Sequence, residues 1–490
     1  MYQFLSRLGF ITYCCLAFML TTAAQPSPAL NDFHSVTELR EDLRLVQAHL
    51  HSVHGSLYTY HSPARFEAYF DSLSAEIRAP MSTLSFYKAL GPLNRLIADA
   101  HTAIQLPDSY YEYLNTEIKM FPFGVRYLQD KLYLTVNLSN QSELPMGVEL
   151  ININGQNALD VFRQLQQYFE RDGFNLSSPN RACANQFQDL YGLIYGSTEL
   201  FELEVKSSEG ERLIFQVDGD SWPVIAPRLA AHFDRVFPDY NAPPPLEFKI
   251  ENAIGQLRIR SFHPGEIAEA DLDFRSFFRS CFEQLHQNKV GDLIIDLRGN
   301  GGGSEDVFMP LLSYLLDTPF IVYEDLSTTT ITIPDHQYYP YNNLRRLERR
   351  AKRNYRPQAG RFAELANPAT QPTTPQAPHF QGRVFVLTDA NTHSAAGDFC
   401  GVLLAHQRAE FVGQESGGNP YQNTAGERIT LVLPHSRLEI GIPLLRYVIA
   451  GGLSNPGRGV IPSYSVEISP QQAIEYADPV LPFVLQLIEN

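Results

Sequence analysis

Positive charge, cysteine and long apolar runs are all in short supply in this chain, and each shortage excludes something. Lys and Arg number 38 against 54 Asp and Glu, a formal net charge of −16. That balance argues against nucleic acid as the main partner, because phosphate recognition needs a basic surface. Past the first 24 residues no stretch approaches 18 uninterrupted apolar residues, so no stable membrane span is expected in the mature chain. There are 5 cysteines. Two of them, Cys14 and Cys15, lie in the leader described below. Cys183, Cys281 and Cys400 cannot all pair with one another and lack zinc-ligand spacing. A Cys183–Cys281 bridge is left open, and Cys400, in an apolar run, reads as a small core residue.

What is present begins with a leader. Arg7 gives a positive start, Phe10 to Leu20 a short apolar run, and Thr22-Ala23-Ala24 the small residues a signal peptidase needs. Residues 1–24 therefore read as a cleavable signal peptide, and the mature protein as secreted or periplasmic. A lipoprotein through Cys14 or Cys15 and an uncleaved anchor are the weaker alternatives. The 490 residues exceed one ordinary core and imply several domains.

The first, 31–110, reads as helical. Ser35-Val-Thr-Glu38 has the form of a capping box, followed by Leu39, Leu43, Val46 and Leu50 at helical spacing. Further helices are expected over Arg65–Arg78 and Thr83–Ala98. His49, His51 and His54 read as a solvated helix face rather than a metal site. Residues 118–220 are β-rich: a strand at Lys131–Val136, a second leading into the turn Asn154-Gly155, a helix over Ala158–Phe169, and strands Leu200–Lys206 and Arg212–Val217. The order resembles a PDZ-like module interrupted near 172–198. From 245 to 475 the pattern is α/β, with buried strands at Val290–Leu297 and Arg383–Leu387 and helices at Asp306–Leu316 and Ala395–His406. Residues 326–380 depart from it. Their basic run Arg345, Arg346, Arg349, Arg350, Lys352 and Arg353 reads as a solvated helical insertion, with a flap over a cleft as the functional alternative.

Two places carry chemistry. In Asp296-Leu-Arg-Gly-Asn-Gly-Gly-Gly303 an apolar strand ends in a glycine-rich turn, which can aim backbone N–H groups at an anion. No Gly-Lys-Ser/Thr follows, so it is no phosphate loop. In Leu387-Thr-Asp-Ala-Asn-Thr-His-Ser394-Ala-Ala-Gly-Asp398 a second strand ends just before a helix that Ser394 opens. Ser394 reads either as a plain N-cap or as a nucleophile, with the Ala395 amide beside the donors of Gly302 and Gly303.

Together these two segments resemble the carboxy-terminal processing (tail-specific) and tricorn-core-like serine peptidases. Val412-Gly-Gln-Glu-Ser-Gly-Gly418 and Arg458-Gly-Val-Ile-Pro462 match later elements of that family. The resemblance implies an α+β multidomain fold with a helical N-terminal domain, a PDZ-like module and a ClpP/crotonase-like α/β peptidase core. It implies polypeptide substrates and no cofactor or metal. The general-base lysine of the processing peptidases would fall at Asn419, so the resemblance is to the histidine-dependent branch. That branch places its base in an Asp-x-His-Ser/Thr motif, here Asp99-Ala-His101-Thr102. The family's glutamate position holds Pro456, leaving Asp99, Asp398 and Glu415 as candidates for orienting His101. The implied function is an exported endopeptidase using Ser394 and His101. The alternative is a catalytically weak or inactive peptide- or ligand-binding protein on the same scaffold.

Overall fold

A computed structural model describes residues 32–232, 244–364, 366–454 and 456–490, so the expected signal peptide lies outside the described residues. The capping box forms: the Ser35 amide donates to the Glu38 carboxylate at 2.7 Å, and the Glu38 amide to the Ser35 hydroxyl at 3.3 Å. It opens α1 (Val36–Val53), whose Leu39, Leu43, Val46 and Leu50 are fully buried. Each contributes about 1.5–3 kcal/mol of hydrophobic stabilisation. Next come α2 (Pro63–Glu76), α3 (Thr83–Leu90) and α4 (Leu93–Ile97). The single helix expected over Thr83–Ala98 is two, because Gly91-Pro92 interrupts it and proline has no N–H to give. The histidines of α1 also depart from expectation. His49 and His54 are 1% and 2% exposed, not solvated, since the face they occupy is covered by the core. His49 Nδ1 meets the Tyr339 hydroxyl at 2.6 Å.

The chain then contributes β1 (Ala103–Gln105) and an antiparallel sheet of β2 (Phe123–Leu128), β3 (Lys131–Asn137), β4 (Glu149–Ile153), β5 (Leu200–Lys206) and β6 (Arg212–Asp218), ordered β6-β5-β4-β3-β2. Helix α5 (Ala158–Gln166) follows β4. The interruption expected near 172–198 holds α6 (Ser177–Asn185) and α7 (Phe187–Tyr195). Cys183 and Cys281 are free and buried, which closes the question of a bridge between them; Cys400 is likewise free and buried.

The second half is built on two sheets. β7 (Leu246–Glu251) pairs antiparallel with β8 (Ile254–Ile259), and from there the order runs parallel through β9 (Asp292–Asp296), β13 (Arg383–Thr388), β14 (Glu410–Gly413) and β17 (Tyr464–Ser465). The near-continuous apolar strands β9 and β13 suit a sheet covered on both faces. One face joins the main core; Ile294, Phe385, Leu387 and Val412 on the other pack against the C-terminal helix at Val480 and Val484. The second sheet is ordered β11-β12-β10-β16-β15: β10 (Tyr323–Thr328), β11 (Tyr355–Gln358), β12 (Arg361–Glu364), β15 (Gln422–Val432) and β16 (Glu439–Ile449). The 326–380 segment thus lends strands to a sheet. Its basic run lies on a helix (Leu344–Asn354) with all six cationic side chains exposed, as a solvated helix requires. β1 joins β16 antiparallel, Ala103 opposite Gly441 and Ile104 opposite Ile440. That short strand carries the segment 99–102 onto the peptidase-like core. Among the described residues no helix is long and apolar enough to cross a membrane.

Candidate active site

Both loops expected to carry chemistry emerge from the same end of the parallel sheet, because β9 and β13 are parallel neighbours, Asp296 opposite Leu387. They are stitched together. The Asp389 carboxylate accepts the amides of Gly299, Asn391 and Thr392 at 3.0–3.1 Å. The Thr392 hydroxyl donates to Leu297 O at 3.0 Å, and the His393 amide to Asn300 O at 2.9 Å. Ser394 follows with φ 52° and ψ −126°, a conformation non-glycine residues avoid, immediately before the buried helix Ala395–Ala405. Such backbone costs about 1–3 kcal/mol and persists only where neighbours over-determine it. Here two glycines do so. A Cβ on Gly418 would lie 2.9 Å from Ser394 N, and one on Gly302 2.7 Å from Ser394 Cβ. The Ser394 hydroxyl makes no capping bond to the helix, so the plain N-cap reading does not describe it.

The hydroxyl faces His101 instead, with Ser394 Oγ 3.2 Å from Nε2. His101 is placed by β1 behind it and by Asp99 before it. The Asp99 carboxylate accepts the His101 amide at 3.0 Å, the Thr102 hydroxyl at 2.7 Å and His54 Nε2 at 2.9 Å. His54 Nδ1 accepts the Ser56 amide at 3.0 Å, which leaves its ring proton on Nε2, pointed at Asp99. Burial alone would raise the Asp99 pKa, but the His54 hydrogen bond and the attraction of His54 and His101 outweigh it and hold the carboxylate well below its usual range. His101 Nδ1 is buried and makes no hydrogen bond; Asp99 Oδ1 is 3.9 Å away. Burial first, then repulsion from His393, holds His101 below an ordinary histidine, against the pull of Asp99 and Asp172. His101 is therefore neutral at pH 7 and able to accept a proton.

Of the amides expected to face an oxyanion, Gly302 donates to Asn300 Oδ1 at 2.9 Å. Ala395 and Gly303 donate to no group among the described residues. Phe262 donates to Gly302 O and accepts from Ser304 N, both at 2.9 Å, a parallel bridge that turns the Gly303 amide away from Phe262. The Gly302 Cα hydrogen side is the close neighbour of the Ala395 amide, since a Cβ there would lie 3.0 Å from Ala395 N.

The other two carboxylates expected near His101 are engaged elsewhere. Asp398 bonds the Tyr323 hydroxyl at 2.7 Å and the Asn423 amide; burial pushes its pKa up to about 8. Glu415 holds Arg458 and accepts the Gly459 amide at 2.9 Å, which fixes the Arg458–Pro462 loop. Asn419 is 1% exposed; its side chain donates to the Tyr60 hydroxyl at 2.6 Å. A carboxylate the sequence did not single out is present: Asp172, from the interruption after α5. It accepts the Ala100 amide at 3.0 Å and the Asn419 amide at 3.1 Å, and lies 4.0 Å from His393 Nε2. Burial pushes its pKa up to about 6, whereas burial takes His393 down to about 4. Asp172 thus ties the loop bearing His101 to the glycine turn after Ser394. Its only local signal is Asp172-Gly173, an ordinary turn pair.

Residues 253–466, which carry every element of the Ser394 side of this site, match the model of peptidase family S41. This core is similar to family S41. The protein is accordingly a serine-type peptidase. His101 stands outside the matched segment and is carried to that core by β1. Two solved structures share the fold over nearly the whole chain. Mature CPAF complexed with lactacystin is 17% identical, with 93% of this chain and 99% of that chain covered at a TM-score of 0.62. A CPAF mutant is 14% identical, with 90% and 94% covered at a TM-score of 0.60. No curated protein sequence matches the chain.

Proposed function

We propose that this peptidase hydrolyses polypeptides through an acyl-enzyme formed on Ser394, with His101 as general base. One observation carries the reading: Ser394 Oγ stands 3.2 Å from His101 Nε2, on a strained turn that leaves the hydroxyl free of any capping bond. Nε2 takes the hydroxyl proton as Oγ attacks the peptide carbonyl carbon. The oxyanion that forms is met by the amide of Ala395 and by the Gly302–Gly303 turn. The His101 proton then passes to the leaving amine as the C–N bond breaks. Water, deprotonated by His101, attacks the ester and frees Ser394. Asp99 supplies negative charge beside the imidazolium and orients His101 through its backbone amide. We further propose export by cleavage after residue 24, and a PDZ-like role for the β2–β6 sheet in holding substrate.

A second reading, a catalytically weak binding protein, draws on the buried Nδ1 of His101 and on Pro456 in place of the family's glutamate. A fluorophosphonate probe separates the two. Labelling that disappears in Ser394→Ala and in His101→Ala supports the peptidase mechanism. Folded protein that takes up no label under any of these conditions establishes the second reading.

A further inference from the structure

Away from Ser394, two arginines on elements packed against each other stand close enough to repel. Arg126 lies on β2, the edge strand of the antiparallel sheet, and Arg181 lies on α6, which packs along that strand. Arg126 Nη1 is sealed from solvent and has no hydrogen-bond partner. Among the described residues neither guanidinium makes an ion pair or side-chain hydrogen bond. Arg181 is the largest single influence on Arg126, ahead even of burial, and both lower its proton affinity; Tyr476 and Asp389 act in the opposite sense. Asp389 is not free to serve as the missing partner, because its carboxylate holds the amides of Gly299, Asn391 and Thr392.

A guanidinium carries five donors in a planar fork; Arg126 is half-buried with Nη1 shut off from water, so that donor loses its hydration while the neighbouring cation repels the group. The helix and strand that hold the two arginines gain nothing from that arrangement. An oxyanion resolves both costs, since a carboxylate or phosphate accepts from each fork and neutralises the pair. We propose that Arg126 and Arg181 form an oxyanion-binding site between β2 and α6. Its ligand is a carboxylate or phosphate group, supplied either by a peptide chain end or by a free inorganic anion.

The test uses the full chain carrying Ser394→Ala, so binding is read without turnover and its failure leaves the peptidase mechanism standing. Thermal unfolding is followed at constant ionic strength in three titrations: inorganic phosphate against NaCl, acetyl-tetraalanine with a free carboxylate, and the same peptide amidated. At least one oxyanion should raise Tm saturably by about 3 °C or more, as binding to the native state alone requires. Phosphate alone would identify a free anion; the free peptide without its amide would identify a chain end. Arg126→Met and Arg181→Gln should each weaken the response at least about tenfold, the order expected for losing one charge-assisted contact. Arg126→Met should also melt no lower than its parent without ligand. A Tm that follows ionic strength only, or a saturable response kept in Arg181→Gln, overturns the proposal, even if Arg126→Met does not fold.

Discussion

Asp99 and His101 are two residues apart, yet the carboxylate does not bond the imidazole: Asp99 Oδ1 is 3.9 Å from Nδ1 and holds the His101 backbone amide at 3.0 Å. Its other oxygen is taken by Thr102 and His54. Asp99 therefore acts on the ring through charge and loop geometry, whereas a triad aspartate also selects the tautomer. Asp99→Asn should then lower kcat by about 10–10²-fold, well short of the roughly 10⁴ lost when a triad aspartate is amidated. Steady-state kinetics on an unfolded protein substrate decide it; a 10⁴-fold loss would show that the ring bond forms during turnover.

The pH profile should report the same arrangement. His101 is held below the ordinary histidine value near 6.5 by burial and by His393, so kcat/KM should rise with an inflection below that pH and then plateau. Asp99 and Asp172 pull the other way. Removing either charge, in Asp99→Asn or Asp172→Asn, should move the inflection to lower pH still. A profile that climbs to pH 9 without an inflection near or below neutrality would rule out His101 as the base.

Asp398 offers a stability test apart from catalysis. Burial raises its pKa to about 8 from a model-peptide value near 3.9, so the native state keeps a proton that the unfolded chain releases. With more protons bound in the native state, stability falls as pH rises between those two values. Asp398→Asn keeps the shape without the proton linkage. It should match the parent's denaturation midpoint near pH 4 and exceed it at pH 8. Equal midpoints for the two proteins across that range would contradict the buried, protonated assignment.

The backbone of the site is tested by two substitutions of opposite sign. Gly302→Ala places a Cβ 2.7 Å from Ser394 Cβ at φ +110°, so it should lose at least about 10²-fold in kcat/KM, the cost of disturbing an oxyanion donor, and melt lower. Ser394→Gly relieves the strain at φ 52° and should gain about 1 kcal/mol in denaturant titrations while losing all turnover. A Ser394→Gly variant less stable than the parent would mean that the turn carries no strain.

Much of the Ser394 side was legible because it is local. A buried strand, a glycine turn and a helix opened by Ser394 each leave a contiguous pattern, and β9, β13 and the helix Ala395–Ala405 fall within two residues of where hydrophobic periodicity puts them. The capping box at Ser35 is as local and as readable. His101 came from the resemblance of a four-residue motif, since nothing in its own surroundings marks it. What required the tertiary structure is every relationship made across chain distance. Burial of His49 and His54 depends on what covers α1. Glu415 is turned to Arg458 and Asp398 to Tyr323 by partners 43 and 75 residues away. Asp172 and Arg181 come from an interruption whose packing no period encodes. Sequence periodicity reports which face of an element is apolar; it does not report which other element will lie there, and a buried polar group is defined by that second element.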